Sequence, residues 1–287
     1  MSLLSCELEP LLNRAAQALL GADGLYIGVG AGMGVDSGLP DFRGKEGFWN
    51  AYPPVAQLGL SFSEMANPQW FDRDPEFAWG FYGHRLNLYR ATKPHEGFDI
   101  LRRWGEATPG GAFVFTSNVD GHFQKAGFDV TQVNEHHGSI NHLQCVENCG
   151  QEIWPAMNFE VEVDESTLRA ASPLPSCPAC GQLARPNILM FGDWCWDSSR
   201  SGKQKIRHDK WLQQQEDEKI VLIEIGAGMG IPSVRYQCES LLVDKRGTLI
   251  RINIRDSEAP VGNISLPMGG LEALRQIDVI IDDSRKK

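Results

Sequence analysis

Several clusters in this sequence combine residue types and spacings that could do chemistry. The densest follows an apolar stretch, residues 25–29, that runs into Gly28, Gly30, Ala31, Gly32 and Gly34. Glycines let a backbone turn sharply and approach a ligand closely. A helix starting just beyond them aims free amide N–H groups at an anion, which is the design of a dinucleotide site at a strand end. The ordinary fingerprint is incomplete: Met33 stands where a third glycine is wanted, and Asn50 where an acid belongs about 20 residues on. Spacing alone therefore leaves open a phosphate cradle or a tight turn that binds nothing. The loop that follows, Ser37-Gly-Leu-Pro-Asp41-Phe42-Arg43, is polar and charged with one aromatic. The pentapeptide Gly-Ala-Gly-Met-Gly at 30–34 recurs at 226–230, as two strand-end turns facing one ligand would require.

Four further clusters stand out. Thr116-Ser117-Asn118-Val119-Asp120-Gly121-His122 packs polar groups at the end of an apolar run, where ligands of α/β sheets sit. Asn134-Glu135-His136-His137-Gly138-Ser139 carries two imidazoles, with an unperturbed pKa of about 6.5 suited to proton transfer near neutrality. In a polar loop a histidine can equally be a plain surface or capping residue. Tyr82 and Arg85 lie three apart and share a helix face. Together they could hold a carboxylate, the guanidinium through two parallel bonds, or be an exposed arginine beside a packed tyrosine. Finally, Cys145-x-x-x-Cys149-Gly and Cys177-x-x-Cys180-Gly form two pairs, each followed by a glycine that eases the turn. Four thiolates suit tetrahedral zinc, and such a closed site has no open position for water or substrate, so its metal holds structure. The alternative is four reduced thiols in a loop-rich insert. Cys6, Cys195 and Cys238 are unpaired by spacing and read as small packing residues.

The elements that must position these groups follow from periodicity. Helices are expected over 9–20, 74–90, 95–104, 208–215, 235–243 and 268–276. Asp74-Pro75 gives the second its cap and first turn. Strands are expected over 25–29, 112–116, 130–133, 187–191, 220–225, 248–254 and 279–281. Residues 48–71, rich in aromatics, read as loops and short helices. This alternation implies a doubly wound, Rossmann-like parallel sheet covered on both faces. Residues 1–47, 91–143 and 186–287 form that domain, interrupted by a helical insertion at 48–90 and a zinc-ribbon insertion at 144–185.

With 287 residues, 42% hydrophobic, the chain can bury a substantial core as one large or two modest domains. A net charge of −10 argues against general binding to a nucleic-acid backbone. No run of 18 apolar residues suggests a membrane span, and the N-terminal residues lack the pattern of a secretion signal. Seven cysteines in a chain this long fit a reducing cytoplasm better than a disulfide framework.

Taken together these motifs resemble the sirtuin (silent information regulator 2) family. Its opening motif, Gly-Ala-Gly-x-Ser-x-x-Ser-Gly-Ile-Pro-Asp-Phe-Arg, is matched by Gly30, Ala31, Gly32, Ser37, Gly38, Pro40, Asp41, Phe42 and Arg43, with Leu39 for Ile and Gly34 for the first Ser. Thr116-Ser117-Asn118-Val119-Asp120 is similar to its Thr-Gln-Asn-Ile-Asp, and His137-Gly138 to its His-Gly. Residues 185–193 are similar to Arg-Pro-x-Val-Val-x-Phe-Gly-Glu, with Asp193 for Glu; Gly226-Ala227-Gly228 stands for Gly-Thr-Ser, and Ile252-Asn253 for Ile-Asn. The resemblance spans roughly residues 10–285, and an ordered set of motifs is far more specific than any one.

The resemblance implies that NAD is a co-substrate, with ADP-ribose passed to the carbonyl oxygen of an acylated lysine on a protein. It makes His137 the general base on a ribose hydroxyl, with His136 the neighbouring alternative. Asn118 and Asp120 would hold ribose and nicotinamide, and Asp41, Phe42 and Arg43 would form a flap over the cofactor. Gly226, Gly228 and Ser233 would surround phosphates and ribose, and Asn253 would touch the adenosine ribose. Phe191, Gly192 and Asp193 would pair with a substrate peptide as an added strand. Cys145, Cys149, Cys177 and Cys180 would hold structural zinc. Tyr82 and Arg85 resemble the pair found in sirtuins that remove acidic acyl groups, so succinyl- or malonyl-lysine is expected beside acetyl-lysine. Gly34, Ser117 and Gly226-Ala227-Gly228 each remove polar groups near the cofactor. They keep NAD hydrolysis or mono-ADP-ribosylation on the same fold as the competing activity, and a non-enzymatic NAD sensor as a third reading.

Overall fold

The computed structural model describes residues 3–40, 44–157, 159–244 and 247–286, without the side chains of residues 3–7, 44–46 and 244. In chain order the elements are α1 (Leu3–Leu20), β1 (Gly24–Val29), α2 (Gly32–Val35), α3 (Gly44–Ala51), α4 (Pro53–Gln57), α5 (Phe62–Met65), α6 (Gln69–Arg73), α7 (Pro75–Ala91), α8 (Glu96–Ala107), β2 (Ala112–Thr116) and α9 (His122–Lys125). A 3-10 turn (Val130–Gln132) leads to β3 (Val133–Glu135), β4 (Gly138–Cys145), β5 (Trp154–Pro155), β6 (Val163–Asp164), β7 (Arg169–Ala170), β8 (Ala184–Ile188), α10 (Ser199–Gln214), β9 (Ile220–Ile225), α11 (Ser233–Asp244), β10 (Thr248–Ile252), β11 (Ile264–Leu266) and α12 (Gly270–Arg285).

Six parallel strands form the main sheet in the order β11-β10-β9-β1-β2-β3. The winding reverses between β1 and β9, and at such a reversal a crevice opens beyond the carboxyl ends of the strands. Register makes this crevice common ground: Val29 is level with Thr116 on one side and Ile225 on the other, and Ile225 with Ile252. The loops after four strands therefore start side by side. Leu25, Ile27 and Val29 face one apolar cluster with Phe98, Leu101 and Ile277, and Tyr26 faces another with Trp211, Val234 and Cys238. Strands buried on both sides read as continuous apolar runs, which is why 25–29, 112–116 and 220–225 are apparent in the sequence.

The second layer of structure is an antiparallel sheet β5-β4-β8, a hairpin β6-β7 and helices α3 to α7. One apolar cluster joins Phe48, Tyr52 and Phe81 from 48–90 with Val161, Leu168 and Ala170 from 144–185. Ile140 of β4 and Ile188 of β8 also belong to it, so residues 48–90 and 144–185 share a single core. Helix α7 makes this possible. A methyl group on Gly80 would lie 1.9 Å from the Leu168 carbonyl oxygen, and one on Gly83 2.4 Å from Val161 Cγ1. The bare helix surface is what admits the hairpin. Asp74 caps α7 as expected, accepting from the Phe77 N–H at 3.2 Å.

Several expected elements differ. Residues 279–281 are helical, because Ala273, Leu274, Ile277 and Ile281 bury at helical spacing. The sixth strand is instead Ile264–Leu266, three residues long. Residues 130–132 turn before the short strand β3, and the strand expected at 187–191 is β8, antiparallel in the second sheet. Helix α10 begins at Ser199 rather than 208: only Gln204, His208 and Trp211 are buried along it, a stripe too narrow and polar to read as amphipathic. No helix among the described residues is long and apolar enough to cross a membrane.

Candidate active site

The crevice at the carboxyl ends of β1, β2 and β9 opens into a cavity of roughly 860 Å³. Gly30, Ala31, Asn118, Asp120, His137, Gly226 and Gly228 line it, and so do Tyr82, Arg85 and Phe191 from the smaller layer. Asp41, Phe42 and Arg43 lie outside the described residues.

The glycine loops are shaped by each other. Gly30 N–H donates to the Ile225 carbonyl and Gly32 N–H to the Gly226 carbonyl, both at 3.0 Å. A methyl on Gly30 would lie 2.7 Å from Ala227 Cα, and one on Gly226 2.5 Å from Gly32 Cα. Gly226 also has φ of +61°, a conformation that favours glycine. The helix expected to cradle phosphate, α2, is a single turn. The N–H groups of Gly32, Met33 and Gly34 all bond within the loops, to Gly226, Gly30 and Ala31. Gly32 therefore packs behind the wall, while Gly30 and Gly228 form its face.

Asn118 is strapped in place. Its N–H donates to Thr116 Oγ1 and its amide Nδ2 to the Gly30 carbonyl, each at 3.0 Å. That leaves the amide oxygen as the group it can offer a ligand. Asp120 accepts from the His122 N–H at 2.8 Å, and its carbonyl accepts from Asn141 Nδ2 at 3.2 Å.

His137 sits where β3 passes into β4. Its carbonyl accepts from the Leu189 N–H at 2.9 Å. Gly138 follows with φ of +82°, and a methyl there would lie 2.1 Å from the Asn187 carbonyl oxygen. The His-Gly pair is thus a backbone requirement as well as a chemical one. Burial pushes the His137 pKa down to about 4, the neighbouring His136 adds to this, and a hydrogen bond to the Ser117 backbone opposes it. The ring is neutral at pH 7 and able to take a proton. Ser233 Oγ lies 3.3 Å from its Nε2, so Ser233 meets the histidine at the start of α11.

Tyr82 and Arg85 both reach the cavity from α7. Arg85 is 6% exposed, which excludes the exposed-arginine alternative. Its guanidinium carbon lies 5.3 to 5.9 Å from the ring centres of Phe62, Phe81, Tyr82 and Tyr89. Its Nε and Nη2 donate to Tyr89 Oη at 3.1 and 2.8 Å. The buried Tyr82 hydroxyl has no hydrogen-bond partner among the described residues, and burial raises its pKa well beyond the ordinary phenol range.

Phe191 forms part of the cavity rim and donates its N–H to the Ala66 carbonyl at 2.9 Å. Gly192, with φ of +69°, turns the chain. The Asp193 side chain is buried against Arg185 in a two-bond pair at 2.8 and 2.9 Å. Asn253, expected at the adenosine ribose, does not line the cavity: its Nδ2 donates to the Ala227 carbonyl at 2.9 Å, and its Oδ1 accepts from the Arg255 N–H at 3.1 Å. It braces the second glycine loop against the turn that brings Arg255 and Asp256 to the cavity.

Tyr89 and Phe62 are cavity residues that sequence reasoning missed. Tyr89 stands four residues after Arg85, so helical spacing could have found it. Phe62 lies in an aromatic stretch without a period, and no local signal marks it.

Away from the cavity, the sulfurs of Cys145, Cys149, Cys177 and Cys180 all lie within 4.8 Å of one another, with two separations of 3.6 Å. Tetrahedral zinc with bonds of about 2.3 Å holds sulfurs about 3.8 Å apart, so the set fits that ion.

The sequence matches the Sir2 family profile over residues 30–212. It is 37% identical to an NAD-dependent protein deacylase of Aquifex aeolicus over 165 residues, 58% of this chain and 60% of that protein's length. It is 31% identical to NAD-dependent protein deacylase 1 of Archaeoglobus fulgidus over 240 residues, 83% of each. A solved complex of a Sir2 homologue with ADP-ribose superposes with a TM-score of 0.68 at 25% identity, covering 95% of this chain and 97% of the other. A Sir2 homolog–NAD complex gives 0.67 at 25% identity, covering 95% and 93%.

Proposed function

The chain belongs to the Sir2 family, and from that premise we propose that it removes acyl groups from protein lysines with NAD as co-substrate. One observation carries the proposal: a single cavity joins the glycine loops at the sheet reversal, a neutral imidazole and a buried aromatic-guanidinium pocket. A binding site for NAD alone would need no such pocket.

NAD, when bound, supplies the ADP-ribosyl group, released from nicotinamide and accepted by the acyl carbonyl oxygen. Gly30, Ala31, Gly226 and Gly228 shape the wall on which its phosphates and riboses would lie, close enough because no side chain intervenes. The Asn118 amide oxygen and Asp120 are placed to hold the nicotinamide ribose, and a preorganised polar contact there costs no reorganisation as positive charge develops. His137, neutral because it is buried, removes the proton from a ribose hydroxyl that then attacks the acyl carbon. Phe62, Val119 and Ile188 exclude water around the acyl chain. The backbone of Phe191, Gly192 and Asp193 would pair with an extended peptide as an added strand. The four cysteines hold zinc as a structural tie.

The Tyr82–Arg85 pair supports acyl chains that end in a carboxylate, succinyl and malonyl, beside acetyl. A buried guanidinium among rings favours an anion that reaches it.

The test is incubation with NAD and acetyl-, malonyl- or succinyl-lysine peptides. Nicotinamide, free lysine peptide and O-acyl-ADP-ribose should appear in equal amounts, and His137→Ala should abolish the last two. Nicotinamide released without peptide turnover would overturn the proposal in favour of NAD hydrolysis or mono-ADP-ribosylation.

A further inference from the structure

We propose that Tyr89 is the third member of the acyl-carboxylate subsite, one that both fixes the Arg85 fork and supplies its own hydrogen bond. The inference rests on the reading that this pocket takes carboxylate-ended acyl chains. Tyr89 lies on α7 four residues beyond Arg85 and seven beyond Tyr82, so all three project from one side of the helix. It lines the same cavity and is itself buried.

The hydrogen-bond inventory gives the role. A phenol oxygen has two lone pairs and one proton. Arg85 donates to Tyr89 Oη through both Nε and Nη2, at 3.1 and 2.8 Å, which occupies both lone pairs. The Tyr89 proton is then available only as a donor. The ring adds a second hold, lying 5.4 Å from the guanidinium carbon. An arginine side chain has many rotamers, and ordering it on binding weakens binding. Here that ordering is already done by a neighbour on the same helix.

The result is a donor set of two phenols and a guanidinium lining one cavity. The Tyr82 hydroxyl is buried and without a partner among the described residues. A carboxylate has about four acceptor sites and could satisfy both phenol protons while pairing with the cation. An acetyl group ends in a methyl that offers nothing to these donors, and a site built around buried donors discriminates against a ligand that cannot use them.

Tyr89→Phe keeps the ring and removes only the oxygen. The ratio of kcat/KM for succinyl-lysine peptide over acetyl-lysine peptide should fall roughly 10- to 100-fold, the range for a hydrogen bond to a charged group. The loss should appear as a higher KM for the succinyl peptide. Arg85→Met, run beside it, should collapse the same ratio, and calorimetric titration with succinyl peptide should show the loss for both variants without turnover. If Arg85→Met collapses the ratio and Tyr89→Phe leaves it intact, the role given to Tyr89 is wrong and the carboxylate reading stands. A ratio that neither variant moves overturns both. Equal losses on the two peptides, with a lowered melting temperature, would show that Tyr89 only packs.

Discussion

Asp193 has a buried side chain with work of its own beside the backbone role expected of residues 191–193, and its removal tests that work. The Asp193 and Arg185 side chains are 0% and 3% exposed and share two bonds of 2.8 and 2.9 Å. The same carboxylate accepts from the Met190 and Cys195 N–H groups, each at 3.3 Å. Asp193→Ala leaves a buried guanidinium whose one remaining hydrogen-bond partner among the described residues is the Met190 sulfur. Breaking a buried pair from one side costs about 3–5 kcal/mol, because the remaining charge is uncompensated. In a chain of this size about 2 °C of melting temperature corresponds to each kcal/mol, so the transition should fall by about 6–10 °C. Arg185→Met/Asp193→Leu removes both charges and should recover most of that loss. Scanning calorimetry reads both variants, and peptide KM is measured in parallel. The reasoning is refuted if Asp193→Ala melts with the wild type while its peptide KM rises, because the carboxylate would then be touching substrate.

Four other outcomes follow from the geometry. The acid limb of kcat/KM should lie near pH 4–5, since a base with its pKa lowered to about 4 stays neutral until the pH falls that far; a limb at about 6.5 would mean the imidazole is not buried. His137 and His142 are both lowered to about 4. Above pH 6.5 neither state is protonated at these sites, whereas between 6.5 and 4 the unfolded chain alone takes up protons, so urea midpoints should fall as pH falls through that window and stay flat above it. Metal analysis should find one zinc per chain, and Cys177→Ser should lower both zinc content and melting temperature; a metal-free protein that melts unchanged would remove zinc from the account. Gly138→Ala meets a carbonyl oxygen at 2.1 Å from a φ of +82°, so it should cost roughly 3 kcal/mol or more and slow turnover through His137; wild-type melting and rate would contradict this.

What could be read from the sequence was whatever is decided locally. The cysteine spacing, the Asp74-Pro75 cap and the apolar strands beside the reversal depend on neighbours in the chain, and they stand as expected. The buried pair of Asp193 could not be read because its partner, Arg185, comes from the far side of a turn. The bracing role of Asn253 was hidden for the same reason: its partner carbonyl belongs to the other loop. The run at 279–281 reads as a strand only if Ile277, which sets the helical period, is left out. The single core shared by 48–90 and 144–185 has no local trace beyond Gly80 and Gly83, whose missing side chains make sense only once the hairpin lies on them.

Helix α7 thus has two working sides. At 3.6 residues per turn, Gly80, Gly83 and Asn87 face the hairpin of the cysteine module, where Asn87 holds the Val161 carbonyl. Tyr82, Arg85 and Tyr89 face nearly the opposite way. A hairpin that touches no reactant therefore lies one helix-width from the wall against which an acyl tail would rest.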